Sequence, residues 1–303
     1  MFTGIQKYNN DKNQKILELS NDQNSAIAKI YLNEGASLQE LSLNNLTLIE
    51  NLEPLAYSDV YASSLLFPFA NRIRDGLYKF QGKTYQFPIN ESGNNNALHG
   101  LVFNKTFTVS NITESENSVI AVLEYTESNP PESFPFQYKI ELKYTLTTTE
   151  LSLKVSIKNL SDKTFPFTLG WHPYFITENL NASSLHFKSS KKMVFNERMI
   201  TKGTKPVDQD GHFSLKEKQL DDCWELDATE VLFKTPGYTL LINSSEANSY
   251  LQAYTPPRKN TIAIEPTTGV SDSFNNKIGL KELHPKDTYS LTWRLQLNKN
   301  EAL

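Results

Sequence analysis

Residues 136–157 read FQYKIELKYTLTTTELSLKVSI. Phe136, Tyr138, Ile140, Leu142, Tyr144 and Leu146 alternate with Gln137, Lys139, Glu141, Lys143 and Thr145. After the polar break Thr147-Thr148-Thr149-Glu150 the alternation resumes at Leu151, Leu153, Val155 and Ile157. Two period-2 runs around a short turn predict an antiparallel hairpin with one buried and one wet face. A helix would spread the same apolar side chains around its whole axis.

The same pattern recurs on both sides of this stretch. Ala28-Ile30-Leu32, Val119-Ala121-Leu123-Tyr125 and Tyr289-Leu291-Trp293-Leu295-Leu297 alternate, whereas Thr239–Ile242, Tyr250–Tyr254 and Thr261–Ile264 read as strands buried on both faces. Turn-rich segments such as Ser92-Gly93-Asn94-Asn95-Asn96 and Asn129-Pro130-Pro131 separate them. Long amphipathic helices are missing, and Ser214–Leu220 has room for a helical turn or two. Many short strands without a compositional break, linker or repeat predict an all-β chain. The expected architecture is one large antiparallel β-sandwich over residues 1–303 with few short helices.

Composition narrows the function. Thirty basic against 34 acidic residues among 303 give a net charge of −4, and only five of the basic residues are arginine, scattered along the chain. Nucleic-acid grooves and phosphate clamps need clustered cations, so no nucleic-acid partner is expected. The single cysteine, Cys223, leaves no internal disulfide framework and reads as a small buried residue. Residues 1–20 have no apolar signal-peptide core, and no run approaches the roughly 18 apolar residues of a membrane helix. The expectation is a cytoplasmic protein with no membrane partner, in which the Asn-x-Ser/Thr matches at Asn45 and Asn159 are chance.

Chemistry is sought where polar groups interrupt apolar segments. His172 lies within Phe165–Phe175, otherwise rich in apolar and aromatic residues, and His99 within Asn96–Phe103; His186, His212 and His284 have polar surroundings and read as surface residues. Glu265 ends the apolar run Thr261–Ile264. A carboxylate there either finds partners or has its pKa raised by desolvation, and either state suits a general base. His172 and Glu265 each precede a proline, which holds the residue extended. Arg72 stands beside Asn71 behind Phe67-Pro68-Phe69 and offers donors next to flat apolar faces, as a polyhydroxyl ligand requires; pairing with Asp75 is its alternative. Asp221 and Asp222 suggest a solvated turn, Asp221 being a ligand only if that loop folds over a cleft. Gln252, between Leu251 and Ala253, needs a partner if it points inward.

Taken in order, Asn71-Arg72-Ile73, Gly82-Lys83-Thr84-Tyr85, Leu98-His99-Gly100, His172-Pro173-Tyr174-Phe175, Asp221, Leu251-Gln252-Ala253-Tyr254-Thr255 and Glu265 resemble the aldose 1-epimerases, or galactose mutarotases. The blocks run from about Phe67 to Asn275 in the family's order. The resemblance implies a sandwich with sugar bound in an open cleft across one sheet, Glu265 as base and His172 as acid. It implies further that Asn71, Arg72, His99, Asp221 and Gln252 bind sugar hydroxyls or the ring oxygen. The protein would then be a monomer or weak dimer. Two departures bear on the substrate. His172 is followed by proline, a pattern of the epimerase-like branches. The acidic block reads Asp221-Asp222-Cys223-Trp224 where the galactose enzymes carry Asp-His-Asn-Phe, so the sequence leaves open which Asp reaches the cleft.

Such an enzyme opens an aldose at C1 and recloses it on the other face. Opening removes the proton of the C1 hydroxyl and delivers one to the ring oxygen. Neither hydroxide nor hydronium is abundant at neutral pH, so a positioned acid and base are required, each worth about 10²–10⁴-fold. No metal, nucleotide or redox cofactor is needed, and neither a Gly-rich phosphate loop nor a His-x-x-x-His pair is present. Three rival readings stand beside it. One is a hexose 6-phosphate mutarotase using Arg74, Arg258 or Lys259. Another is a glycosidase using Asp221 and Glu265. The third is a non-catalytic carbohydrate-binding protein, which has no need of both Glu265 and His172.

Overall fold

The computed structural model describes residues 1–247 and 249–298. The hairpin expected at 136–157 is present. Tyr138–Leu146 pairs antiparallel with Glu150–Asn159, with Leu146 opposite Leu151 and Ile140 opposite Ile157. Burial alternates residue by residue along both strands, since successive side chains of a strand point to opposite faces. The Thr147 amide donates to the Glu150 carbonyl at 2.9 Å, and the Glu150 amide returns a bond to Thr147 Oγ1 at 3.0 Å, which closes the turn.

This hairpin is part of a fifteen-stranded sheet. Beyond Glu150–Asn159 come the C-terminal strand Thr288–Asn298, then Thr239–Ser244, Glu230–Lys234 and Ser184–Phe195. The order continues through Asp221–Glu225, Tyr250–Tyr254, Thr261–Thr267, Gly170–Trp171 and Leu65–Leu66. A five-stranded meander, Phe2–Asn9 to Leu46–Ile49, forms a second sheet. The two share one apolar cluster that includes Phe2 and Leu17 from the start of the chain and Trp293 and Leu297 from its end. The Tyr144 hydroxyl donates across to the Ala36 carbonyl at 2.9 Å. Each fully buried Leu or Phe in such a layer contributes roughly 1.5–3 kcal/mol. The result is the large antiparallel β-sandwich that the alternation predicts.

Helix among the described residues is confined to Tyr57–Val60, Ser273–Asn276 and the 3₁₀ turn Leu180–Ala182. None is long and apolar enough to cross a membrane. Three expectations change. Ser214–Leu220 makes a single turn instead of helix, because Glu217 has φ +56°, a left-handed conformation that a right-handed helix cannot continue through. Thr239–Ser244 alternates between buried and half-exposed residues, so only one of its faces packs; Tyr250–Tyr254 and Thr261–Thr267 are the nearly fully buried pair. Phe67 and Phe69 pack into the core among Phe87, Phe134, Tyr138 and Phe165, and neither lines the cavity of the candidate site.

For the site, the relevant part is one end of the large sheet. Asp221–Glu225, Tyr250–Tyr254, Thr261–Thr267 and Gly170–Trp171 are successive hydrogen-bonded neighbours there. Residues far apart in sequence thus become adjacent across strands.

Candidate active site

Glu265 stands opposite Gln252 in the ladder between Thr261–Thr267 and Tyr250–Tyr254, and Asp221 stands opposite Tyr254 in the next ladder. Gln252 Nε2 donates to Asp221 Oδ1 at 2.6 Å, which supplies the inward amide with a partner. Glu265 is not at a strand end, as its position before Pro266 suggests. The strand runs on through Pro266 and Thr267, the proline costing one donor without ending the pairing, and all seven residues are buried. Asp222 is one residue further along its strand than Asp221, so it projects to the other face, where Lys192 holds it at 2.7 Å. The acidic pair therefore lies in a strand, not a turn, and the alternation of the pleat selects Asp221 for the cavity.

His172 follows Gly170–Trp171. Its amide donates to the Ser64 carbonyl at 3.1 Å, and its carbonyl accepts from the Ser63 amide at 2.8 Å. The ring stacks on Tyr174 with centroids 4.9 Å apart and meets the His99 ring edge-on at 5.0 Å. His172 Nε2 lies 3.5 Å from Glu265 Oε1, so the imidazole and the carboxyl face each other directly.

A further part of the lining comes from a small sheet in which Arg72–Arg74 pairs with Asn96–Leu98. Asn71 and His99 flank this pairing, both with φ +61°, and the His99 amide donates to the Asn71 carbonyl at 2.9 Å. Left-handed backbone is uncommon outside glycine, Asn and His being among the more tolerant residues. The next residue, Gly100, has φ +77° and bridges to Phe67 so closely that a Cβ would sit 2.2 Å from the Phe67 carbonyl oxygen. Gly100→Ala is therefore expected to cost about 1–3 kcal/mol or more, from strain plus the clash. It should displace His99 as well, so the cavity's affinity for its ligand should fall together with the thermal midpoint. Unchanged melting and binding would show that this corner is not held as described.

All seven residues singled out in the sequence (Asn71, Arg72, His99, His172, Asp221, Gln252 and Glu265) line one cavity of about 400 Å³. That size lies within the about 300–1,000 Å³ range of small-molecule sites. Tyr61, Tyr174 and Tyr254 supply its aromatic faces in place of Phe67 and Phe69, and Glu91 and Asp59 also reach it. Glu91 carries no local signal in sequence, because it precedes a Gly/Asn-rich turn like any exposed acid. The helix Tyr57–Val60 brings Asp59 and Tyr61 to the rim through a tertiary approach that no spacing reveals. Arg72 pairs with Glu91, not Asp75: Nε donates to both Glu91 oxygens at 3.0 Å, and Nη2 lies 2.9 Å from Oε1. Asp75 is instead bound by Arg198 at 2.8 Å. Arg74 lines a different cavity, and Arg258 pairs with Glu50. Of the remaining histidines, His212 and His284 are exposed, while His186 is half-buried against His212 across a hairpin.

Burial governs the proton chemistry. It pushes the Glu265 carboxyl well above its usual range, with nearby Asp221 adding to the effect and Arg72 opposing it. It pulls His172 down to about 3, and the Arg72 charge acts in the same direction. His99 is likewise held well below its ordinary value by burial, then by His172 and Arg72. Asp221 is raised by burial, with Arg72 pulling the other way. Each buried group is thus driven toward its neutral form. His172 Nδ1, His99 Nδ1 and Gln252 Oε1 are buried without a hydrogen-bond partner among the described residues. Buried polar atoms are normally satisfied, yet all three of these residues, which line the cavity, carry an unmatched polar atom on their buried side.

A carboxyl and an imidazole in contact beneath a polar cavity can move a proton onto and off a bound molecule without any other group. Residues 15–296 match the aldose 1-epimerase family, and the chain belongs to that family, isomerases whose substrates are small-molecule sugars. Among curated proteins it is 26% identical over 251 residues to the uncharacterized protein YihR of Escherichia coli, covering 75% of each chain. Among solved structures it is similar to a galactose mutarotase-like protein from Clostridium acetobutylicum (TM-score 0.86, 21% identity, 99% of each chain). It is also similar to a galactose 1-epimerase from Lactobacillus acidophilus (TM-score 0.81, 17% identity, 99% of each chain). These structural likenesses concern the fold.

Proposed function

We propose that the protein is an aldose mutarotase that interconverts the α and β anomers of an uncharged hexose, with Glu265 as base and His172 as acid. The single observation that carries this reading is the 3.5 Å approach of His172 Nε2 to Glu265 Oε1 inside a sugar-sized cavity. Burial drives both groups toward neutrality, so the pair holds one proton across the neutral range, and that one proton is enough for the cycle. In ring opening the proton sits on His172 and passes to the ring oxygen while Glu265 takes the proton of the C1 hydroxyl. The pair then stands as carboxylic acid and neutral imidazole, the form that burial favours. After rotation about C1–C2, Glu265 returns its proton to the aldehyde oxygen and His172 recovers the one on the C5 hydroxyl. Protons balance over the cycle, and the enzyme ends as it began. Asn71, Arg72, His99, Asp221 and Gln252 hold the hydroxyls and the ring oxygen, and the three tyrosines give the pyranose apolar faces to lie against.

The charge of the cavity favours an uncharged sugar over a hexose 6-phosphate. Arg72 is the one cation lining it among the described residues and is already paired with Glu91, while burial drives the other two carboxyls beside it, Asp221 and Glu265, toward their neutral forms. Arg74, Arg258 and Lys259, the cations considered for a phosphate, do not line it. A non-catalytic carbohydrate-binding protein would not need the buried Glu265–His172 contact, whose desolvation is costly. The test is polarimetric anomer exchange over glucose, galactose, other aldoses and their 6-phosphates. Acceleration of at least one unphosphorylated aldose is expected. Calorimetric sugar binding without acceleration of any anomer exchange would overturn the enzymatic reading.

A further inference from the structure

We propose that Glu91 is a specificity residue of this site: by pairing with Arg72 it cancels the one positive charge that lines the cavity among the described residues and so excludes anionic sugars. The inference rests on the mutarotase reading above and extends it to a residue with no part in the proton transfers.

Glu91 accepts three contacts from the Arg72 guanidinium, two from Nε and one from Nη2, within 2.9–3.0 Å. Nη1 donates to Asn71 Oδ1 at 3.1 Å. Of the five N–H groups that an arginine carries, the one on Nε and one on Nη1 are hydrogen-bonded, and Nη2 is held beside Glu91 by charge, which leaves N–H groups on both terminal nitrogens for a ligand. Glu91 is itself anchored. Asn94 and Asn96 donate to its two oxygens at 3.2 and 2.8 Å, and its backbone exchanges hydrogen bonds with Asn96. Asn96 is fully buried and tied in turn to Arg198. The ion pair is therefore a built element of the wall, about four-fifths removed from solvent on both sides. Burial raises the Glu91 carboxyl, but the Arg72 bond and charge together with the Asn96 and Asn94 bonds outweigh that and hold it below the usual range.

Charge balance turns this geometry into specificity. With Glu91 ionised, Arg72 presents oriented N–H donors but no net charge, which suits hydroxyl oxygens. Without Glu91, Arg72 would face the cavity as a half-compensated cation. Its nearest remaining carboxylate is Asp221, 4.0 Å from Nη2 and itself bonded by Gln252. A cation in that state draws carboxylates and phosphates. Glu91→Gln keeps the shape and an acceptor oxygen while removing only the charge. Glu91→Asp keeps the charge.

The experiment compares wild type, Glu91→Gln and Glu91→Asp on glucose, galactose, glucuronate and glucose 6-phosphate. Anomer exchange is read by polarimetry and glucuronate binding by calorimetry, with thermal melts to establish that each variant folds. In Glu91→Gln the kcat/KM ratio of anionic to neutral sugar should rise about tenfold or more, the scale of one unit charge in a partly screened cavity. The change should be carried by KM, glucuronate should bind correspondingly tighter, and Glu91→Asp should return the ratio toward wild type. A ratio unchanged in a folded Glu91→Gln variant, or neutral and anionic sugars weakened alike, would overturn the proposal while leaving the mutarotase reading intact. If wild type accelerates no sugar, the mutarotase reading fails. Glucuronate affinity then decides on Glu91 alone: tighter in Glu91→Gln supports its role, and unchanged rejects it.

Discussion

Glu265→Gln is expected to lower kcat for the preferred aldose by about 10²–10⁴-fold, the usual worth of one positioned proton transfer, and at the same time to raise the melting temperature. The loss follows because an amide cannot take the C1 hydroxyl proton. The gain follows from linkage. In the unfolded chain the carboxyl ionises near its ordinary value of 4.5, whereas in the folded protein burial keeps it protonated to higher pH. Between those two points the unfolded state binds fewer protons, so stability falls as pH rises, by about 1.4 kcal/mol for each pH unit. Gln does not titrate and removes that loss. The variant should match wild type below about pH 4 and exceed it increasingly above, by about 2–4 °C for each kcal/mol. Melting curves at pH 4, 6 and 8 together with polarimetry check both halves. A variant that keeps a tenth of the wild-type rate would remove Glu265 from the mechanism. A melting difference that does not grow with pH would show that the carboxyl is ionised in the folded protein.

His172→Asn should cost a similar factor, but with a different pH signature. In the mechanism proposed, the one-proton form of the pair is the active one, and its limits belong to the pair jointly. A second proton enters at acid pH, since burial holds His172 down to about 3, and the single proton leaves only at the raised value of Glu265. The expected profile is thus a broad plateau through neutrality, falling on both sides. With His172 replaced, residual catalysis depends on the Glu265 carboxylate alone, so it should climb with pH instead of levelling. A His172→Asn variant that keeps the wild-type profile and rate would place the acid elsewhere, His99 being the next imidazole at the cavity. The two substitutions should also be strongly non-additive, because either one breaks the same proton circuit.

Much of the fold was legible because strand alternation is a local property. Tyr138–Leu146 and Glu150–Asn159 declare their buried face every second residue, and the turn between them is three residues of short polar threonine. Where the period failed, local sequence misled. Thr261–Thr267 continues through Pro266 because its neighbours supply pairing that a proline-bearing strand alone does not advertise. Ser214–Leu220 looks helical in composition, yet one left-handed residue, Glu217, turns the chain. The site was legible in part for a similar reason. His172 and Glu265 are polar groups inside apolar segments, an anomaly visible without neighbours. Glu91 and Tyr61 have no such contrast around them, and they come to line the cavity only through what folds against them.

By itself, the amino-acid order determined that this chain is built of antiparallel strands and which polar residues are stranded in apolar surroundings, since both depend on side chains within a few positions of one another. Only the tertiary structure decided that Asp221 and not Asp222 faces the cavity, that Arg72 pairs with Glu91 and not Asp75, and that Glu265 and His172 come within 3.5 Å of each other, both buried. Those outcomes depend on cross-strand register, on which carboxylate reaches a guanidinium, and on the loss of water around both groups, and each arises only when distant segments pack together.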